Sequence, residues 1–116
     1  MASTVSLKLY KRPLSTVGSI SSVPFWRRQG ALFQILLDGQ EVGFVFLDVV
    51  DKTLIVRELF GIATGFTVKS LFEALPKYAK ANGLEEIEFT TFRKGMTYLA
   101  KKNGFEVIEV ILRKAL

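Results

Sequence analysis

The sequence predicts an α+β domain in which a mixed, mostly antiparallel sheet of about six strands carries one long and one short helix. Two observations support this fold class. Before residue 60 apolar residues alternate with polar ones, whereas after residue 67 they recur with the period of about 3.6 of a helix. In addition, a chain of 116 residues has the length of one domain, so we expect residues 1–116 to share a single core.

The first half of the chain is predicted to consist of strands. Residues 5–9 alternate apolar and polar side chains, which is typical of a half-buried strand. Residues 11–30 contain two Pro, two Gly and five Ser or Thr, so we expect a loop with room for one short helical turn. Three strands then follow at 31–37, 41–49 and 53–60.

Two turns are predicted to join these last three strands. Asp38-Gly39-Gln40 forms the first, and the Asp-Gly dipeptide between two apolar runs is a strong signal for a β-hairpin. Residues 50–52 form the second turn. The three strands therefore form an antiparallel meander.

The long helix is predicted from Thr67, a suitable N-cap, to Asn82-Gly83, a typical helix end. Pro76 lies inside this segment, so we expect either a kink there or a helix that starts late. Leu71 and Phe72 lie at the centre of the apolar stripe and are expected to anchor the core. The stripe comprises Val68, Leu71, Phe72, Leu75 and Ala79.

A strand, a short helix and a final strand are predicted to follow. Residues 86–92 alternate apolar with charged or hydroxyl side chains, which indicates a fifth strand. Leu99 and Ala100 belong to the inner face of a short helix that ends at Asn103-Gly104. Residues 105–112 are expected to close the sheet.

Composition excludes several kinds of chemistry. The chain has no Cys and no His, so it has no thiolate nucleophile, no catalytic His and none of the commonest metal ligands, and we expect no metal site. Its apolar runs, such as residues 42–47, are far shorter than the roughly 20 residues of a membrane-spanning helix. Charges follow a very short apolar stretch at the N-terminus, unlike a secretory signal. We therefore expect a cytoplasmic protein without membrane association.

The order helix, strand, helix, strand over residues 67–116, with its Asn-Gly stops and the Gly104-Phe105 pair, resembles the C-terminal half of a GCN5-related N-acetyltransferase (GNAT) domain. The resemblance covers residues 42–116. It implies that the loop before the long helix binds the coenzyme A pyrophosphate through backbone amides, in the pattern Arg/Gln-x-x-Gly-x-Gly/Ala. In the same family, the region that corresponds to residues 11–30 forms two helices beside the acceptor substrate. Because this region is short and rich in helix breakers here, we expect the acceptor side to be small or open.

The pyrophosphate loop departs from the family pattern. When the pattern is laid on residues 63–68, its two glycine positions fall on Phe66 and Val68. Bulky side chains are then expected where the phosphates would lie, so we expect no cofactor. Gly61 and Gly65 leave a shifted anion site as an alternative. Acetyl-CoA would then be bound by Gly65, Phe66, Thr67, Val68 and Lys69.

The catalytic positions depart from the family as well. The tyrosine that the family uses as general acid falls on Ala100, and Tyr98 points to a different side of the helix. The family's Asn near the start of that helix is replaced by Arg93. Glu58 is the carboxylate nearest to where the family often has a general base, but next to Arg57 we expect it to be an ordinary strand residue in a surface pair. If the chain is an enzyme, Glu58 and Tyr98 are the candidate catalytic residues.

A partner contact is predicted at Trp26, Arg27 and Arg28, where aromatic side chains adjoin charge in a loop rich in helix breakers. The alternative for Trp26 is that its ring folds back and caps the sheet. A net charge of +5 also suits an acidic partner such as nucleic acid.

Three functions follow from the sequence, in this order. The first is a non-catalytic interaction or structural module of GNAT-like fold with a protein partner, which resembles compact acetyltransferase-like proteins of tailed bacteriophages. The second is an acyl-CoA-dependent N-acetyltransferase with a divergent pyrophosphate loop, in which Glu58 or a backbone carbonyl accepts the amine proton and water replaces the tyrosine. The third is a nucleic-acid binder. The sequence identifies neither the acceptor substrate nor the oligomeric state.

Overall fold

The computed structural model describes residues 4–63, 66, 68–89, 101, 102, 104 and 105. In this part of the chain, five strands form one sheet whose spatial order follows the chain order. The strands are β1 (Val5–Leu9), β2 (Ala31–Leu37), β3 (Gln40–Val50), β4 (Thr53–Phe60) and β5 (Glu86–Phe89). The first four pair antiparallel, and β5 pairs parallel to β4. The predicted mixed, mostly antiparallel sheet is confirmed. The predicted sixth strand lies outside the described residues.

The β2–β3 hairpin forms where the Asp-Gly dipeptide predicts it. Asp38 and Gly39 both have positive φ, 51° and 83°. This is the requirement of a type I′ turn, whose twist matches that of the flanking strands. The Asp38 carboxylate also accepts a hydrogen bond from the Thr4 backbone N–H at 2.9 Å, which ties the start of the chain to the hairpin.

The helix α1 (Val68–Ala81) connects β4 to the parallel β5. It starts at the predicted place and includes Pro76, so the late start considered above is wrong. Gly83, at φ 71°, ends it. The Gly83 N–H donates to the Lys80 carbonyl at 3.1 Å and the Leu84 N–H to the Ala79 carbonyl at 2.9 Å, which is the Schellman arrangement.

One face of the sheet is covered by α1. Leu71 and Phe72 are 0% and 2% exposed, which confirms both as core anchors. The Phe72 ring meets the rings of Phe89 and Phe105 at centroid distances of 5.4 and 5.5 Å. We call this cluster the α1-side core; its buried members are Ile35, Val45, Leu47, Leu54, Val56, Leu71, Phe72, Leu75 and Ala79.

The opposite face is covered by residues 11–30. The sequence predicted a loop with one short helical turn here. The segment instead forms three short 3-10 turns, Leu14–Thr16, Gly18–Ser22 and Phe25–Arg27. Pro13 and Pro24 directly precede the first and third turns, where a fixed φ and a missing N–H are tolerated. The loop-side core comprises Val17, Val23, Leu32, Phe44, Phe46 and Phe60. The sheet is therefore enclosed on both faces.

The Gly104-Phe105 pair has a structural role. Gly104 has φ 87°, and its N–H donates to the carbonyl of Lys101 at 3.2 Å. Phe105 is half-buried against the α1-side core. A left-handed glycine thus turns the chain so that the next aromatic ring reaches the core.

Candidate functional site

A β-bulge in β4 determines the direction of the side chain of Glu58, the candidate general base. Leu47 of β3 pairs with Val56 and Phe46 pairs with Glu58, so Arg57 is an extra residue in the ladder. Val56 and Leu59 both contact the α1-side core although they are three positions apart. The bulge therefore turns Arg57 and Glu58 together toward the face covered by residues 11–30.

Two ion pairs form on this face. Arg27 Nη1 lies 3.1 Å from Glu58 Oε2, and Arg57 Nη2 lies 3.2 Å from Asp48 Oδ2. Glu58 therefore forms an ion pair, as the sequence suggested, but its partner is Arg27 and not the adjacent Arg57. Because the bulge places both side chains on one face, Arg57 reaches across to β3 while Glu58 meets the third 3-10 turn. No pattern in the sequence indicates a contact between residues 27 and 58.

The third 3-10 turn brings Arg27 to Glu58. The Arg27 N–H donates to the Pro24 carbonyl at 2.9 Å and closes the turn. Arg28 fixes the segment beneath it: its Nε donates to the Val23 carbonyl and its Nη2 to the Ile20 carbonyl, both at 3.0 Å. Arg28 thus acts within the fold, where the sequence suggested a contact with a partner.

The aromatic residues of this turn point away from the core. Trp26 is 73% exposed and Phe25 is 83% exposed. Trp26 therefore does not cap the sheet, and the capping alternative is wrong. Phe25 is a second large apolar group that the sequence interpretation did not include in the predicted contact. Its ring lies 5.9 Å from the Arg28 guanidinium.

The connection from β4 to α1 forms the second part of the site. The β4–β5 pairing spans Thr53–Val56 on β4, which continues to Phe60. Gly61 follows with φ 65°, and a Cβ there would lie 2.7 Å from Ser19 Oγ. This close packing accounts for a glycine at position 61, so a bound phosphate is not needed to explain it.

The side chain of Phe66 packs against the α1-side core and is half-buried. The expected obstruction of a phosphate by this ring stays a prediction. Lys69 is exposed in the first turn of α1, which contains no acidic residue. Helix N-termini leave backbone N–H groups without intrahelical acceptors and carry a partial positive charge. This end of α1 is therefore suited to an anion.

Several predicted site residues lie outside the described part of the chain. They are Gly65, Thr67, Arg93, Tyr98 and Ala100, together with the side chain of Val68. Their assignments stay predictions.

Among the residues that the structure describes, no group of three or more Asp or Glu side chains could hold a metal ion. Within the same residues, no helix is long and apolar enough to cross a bilayer.

Solved structures with a similar fold are acetyltransferases. The aminoglycoside N-acetyltransferase AAC(6')-Iy in complex with CoA matches with a TM-score of 0.56 and 15% identity, over 100% of this chain and 97% of its own. An acetyltransferase of Trypanosoma brucei matches with a TM-score of 0.54 and 14% identity, over 97% and 99% of the two chains. YycN of Bacillus subtilis, assigned as an acetyltransferase, matches with a TM-score of 0.60 and 18% identity, over 74% of this chain and 61% of its own.

The sequence itself matches no protein-family model. A search of curated proteins also finds no match. Identities of 14–18% to solved structures therefore establish an architecture and leave the reaction open. The matches support the GNAT-like fold that the sequence suggested, while most of the second helix and the final strand lie outside the described residues. The chain has the fold of the GNAT acetyltransferases.

Proposed function

We propose that the chain is an acyl-CoA-dependent N-acyltransferase. The observation that carries the proposal is the position of the Phe66 side chain. The main argument for a non-catalytic module was that Phe66 and Val68 would fill the phosphate site, and Phe66 instead packs into the α1-side core. A structural neighbour that matches over 97% of its own chain is a complex with CoA, so the expectation of no cofactor is not supported.

The amino end of α1 is the part of the chain that fits the pyrophosphate. Backbone amides of residues 65–69 would hold it, and the exposed Lys69 would add a positive charge. The first turn of α1 contains no carboxylate that would repel an anion. Bound acyl-CoA would supply an acyl group activated as a thioester.

Glu58 would accept the proton that the acceptor amine loses. It is a 14% exposed carboxylate on the face of the sheet that residues 11–30 cover. General bases of this kind contribute roughly 10² to 10⁴ in rate. Tyr98 or a water would supply a proton to the departing thiolate.

Acetyl-CoA binding is the first test, measured by the melting temperature. At 100 times the dissociation constant, binding to the native state adds about 2.7 kcal/mol, which is several degrees for a domain of this length. Lys69→Glu should remove this shift without lowering the melting temperature of the free protein, because a carboxylate suits a helix N-terminus. Lys77→Glu, at an exposed position further along α1, is the matched control and should keep the shift.

Acyl transfer is the second test. The chain has no Cys, so a thiol reagent does not react with the protein and reports the CoA released from acetyl-CoA, with a reaction without amine as the control for hydrolysis. No shift of the melting temperature with millimolar acetyl-CoA, together with no thiol release, would overturn the proposal.

A second candidate function is a protein-binding module, and the exposure of Phe25 and Trp26 favours it. Large aromatic rings at the surface are enriched at interface hot spots. Because Arg28 bonds within the fold and Arg27 pairs with Glu58, the aromatic rings would provide most of the contact. Trp26→Ala should then lower capture of a partner in a pull-down without changing stability.

A further inference from the structure

The pair between Arg27 and Glu58 lies at the point where an acceptor would have to bind. Arg27 is the more exposed partner, at 42% against 14% for Glu58. It comes from a turn that is 31 residues away in the chain. The Glu58 carboxylate is therefore already paired with the Arg27 guanidinium when an amine approaches it from solvent.

The segment that carries Arg27 is fixed at its base and exposed at its tip. Val23 is buried in the loop-side core, and the two bonds of Arg28 hold the backbone near it. Phe25, Trp26 and Arg27 project beyond this base and are exposed. Displacement of the Arg27 side chain from Glu58 therefore does not require the loop-side core to move.

Resting on the proposed function, we propose that Arg27 is an internal competitor of the acceptor amine. It occupies the Glu58 carboxylate in the unliganded protein and is displaced when a cationic amine binds. A guanidinium stays protonated in proteins, so Arg27 matches the charge of an ammonium group but offers Glu58 no proton to accept. The contact is thus autoinhibitory.

Steady-state kinetics of Arg27→Gln with acetyl-CoA and n-butylamine test the competition. Removing the competitor should lower the KM for n-butylamine by up to about five-fold, the range of a partly exposed ion pair, and leave kcat unchanged. Arg27→Lys keeps a positive charge beside Glu58, so its KM should stay above that of Arg27→Gln. Lys52→Gln removes the exposed pair with Glu85 and is the matched control.

The same kinetics separate competition from positioning. If Arg27 instead orients Glu58 for catalysis, Arg27→Gln lowers kcat, and this result would overturn the proposal. An unchanged KM in Arg27→Gln would overturn it as well.

Tryptophan fluorescence gives a readout that is independent of activity. Trp26 is the single Trp of the chain and is adjacent to Arg27, so its emission reports movement of the turn. Titration with n-butylamine should change the emission of the parent protein and leave that of Glu58→Gln constant. A parent emission that does not respond contradicts the displacement of Arg27. If the emission responds while acetyl-CoA neither binds nor releases thiol, the displacement stands and the acyltransferase function fails.

Discussion

Replacing Phe72 with Ala removes the aromatic centre of the α1-side core. The side chain is 2% exposed, and its ring contacts two other rings at 5.4 and 5.5 Å. Phe→Ala changes at buried sites cost about 3–5 kcal/mol, and each aromatic pair adds about 0.5–1.5 kcal/mol beyond its buried area. We therefore expect a loss of about 4 kcal/mol or more, a large part of the total stability of a small domain.

Urea denaturation measures this loss. With an m-value of about 1–3 kcal/mol/M, the midpoint should fall by at least about 1 M. Phe25→Ala is the matched control: it removes the same ring from an 83% exposed position, so its free energy of unfolding should change by less than about 0.5 kcal/mol. Equal losses in both variants, or a loss below about 1 kcal/mol for Phe72→Ala, would refute the assignment of Phe72 to the core.

Three further changes test other parts of the molecule. Gly30→Ala should cost about 2 kcal/mol or more by denaturation, because φ is 86° and a Cβ would lie 2.3 Å from the Leu47 carbonyl oxygen; Gly18→Ala, with open space around it, should change stability by less than about 0.5 kcal/mol. Glu58→Gln should lower acyl transfer by roughly 10² to 10⁴ in the thiol assay while acetyl-CoA still raises the melting temperature. Trp26→Ala should leave the urea midpoint nearly unchanged, and a loss of several kcal/mol would contradict its exposure.

The parts of the fold that the sequence predicted depend on local signals. Asp38-Gly39 determines its own turn because both residues tolerate positive φ. The stripe containing Leu71 and Phe72 has helical spacing, and Gly83 is suited to ending a helix, so α1 could be predicted from its own residues. None of these features requires knowledge of a distant strand.

The arrangement of the candidate site depends on register and on distant contacts. The bulge at Arg57 arises from how β4 aligns with β3, and no residue within β4 marks it. The partner of Glu58 lies 31 positions earlier, in a segment whose prolines and glycines indicated only a loop. Sequence reasoning therefore named Arg27 and Glu58 separately and did not predict that they meet.

The direction of one side chain changes the ranking of functions. Counting along the loop places Phe66 at a glycine position of the GNAT pattern, which suggests an obstructed phosphate site. Alignment with the family pattern identifies the position of Phe66 but does not determine the direction of its ring. In the structure the ring packs against the α1-side core. A bulky residue in a phosphate-binding loop opposes anion binding only if its side chain points toward the anion. The contact of the Phe66 ring with the core favours a ring directed away from the anion, and this supports the acyltransferase proposal.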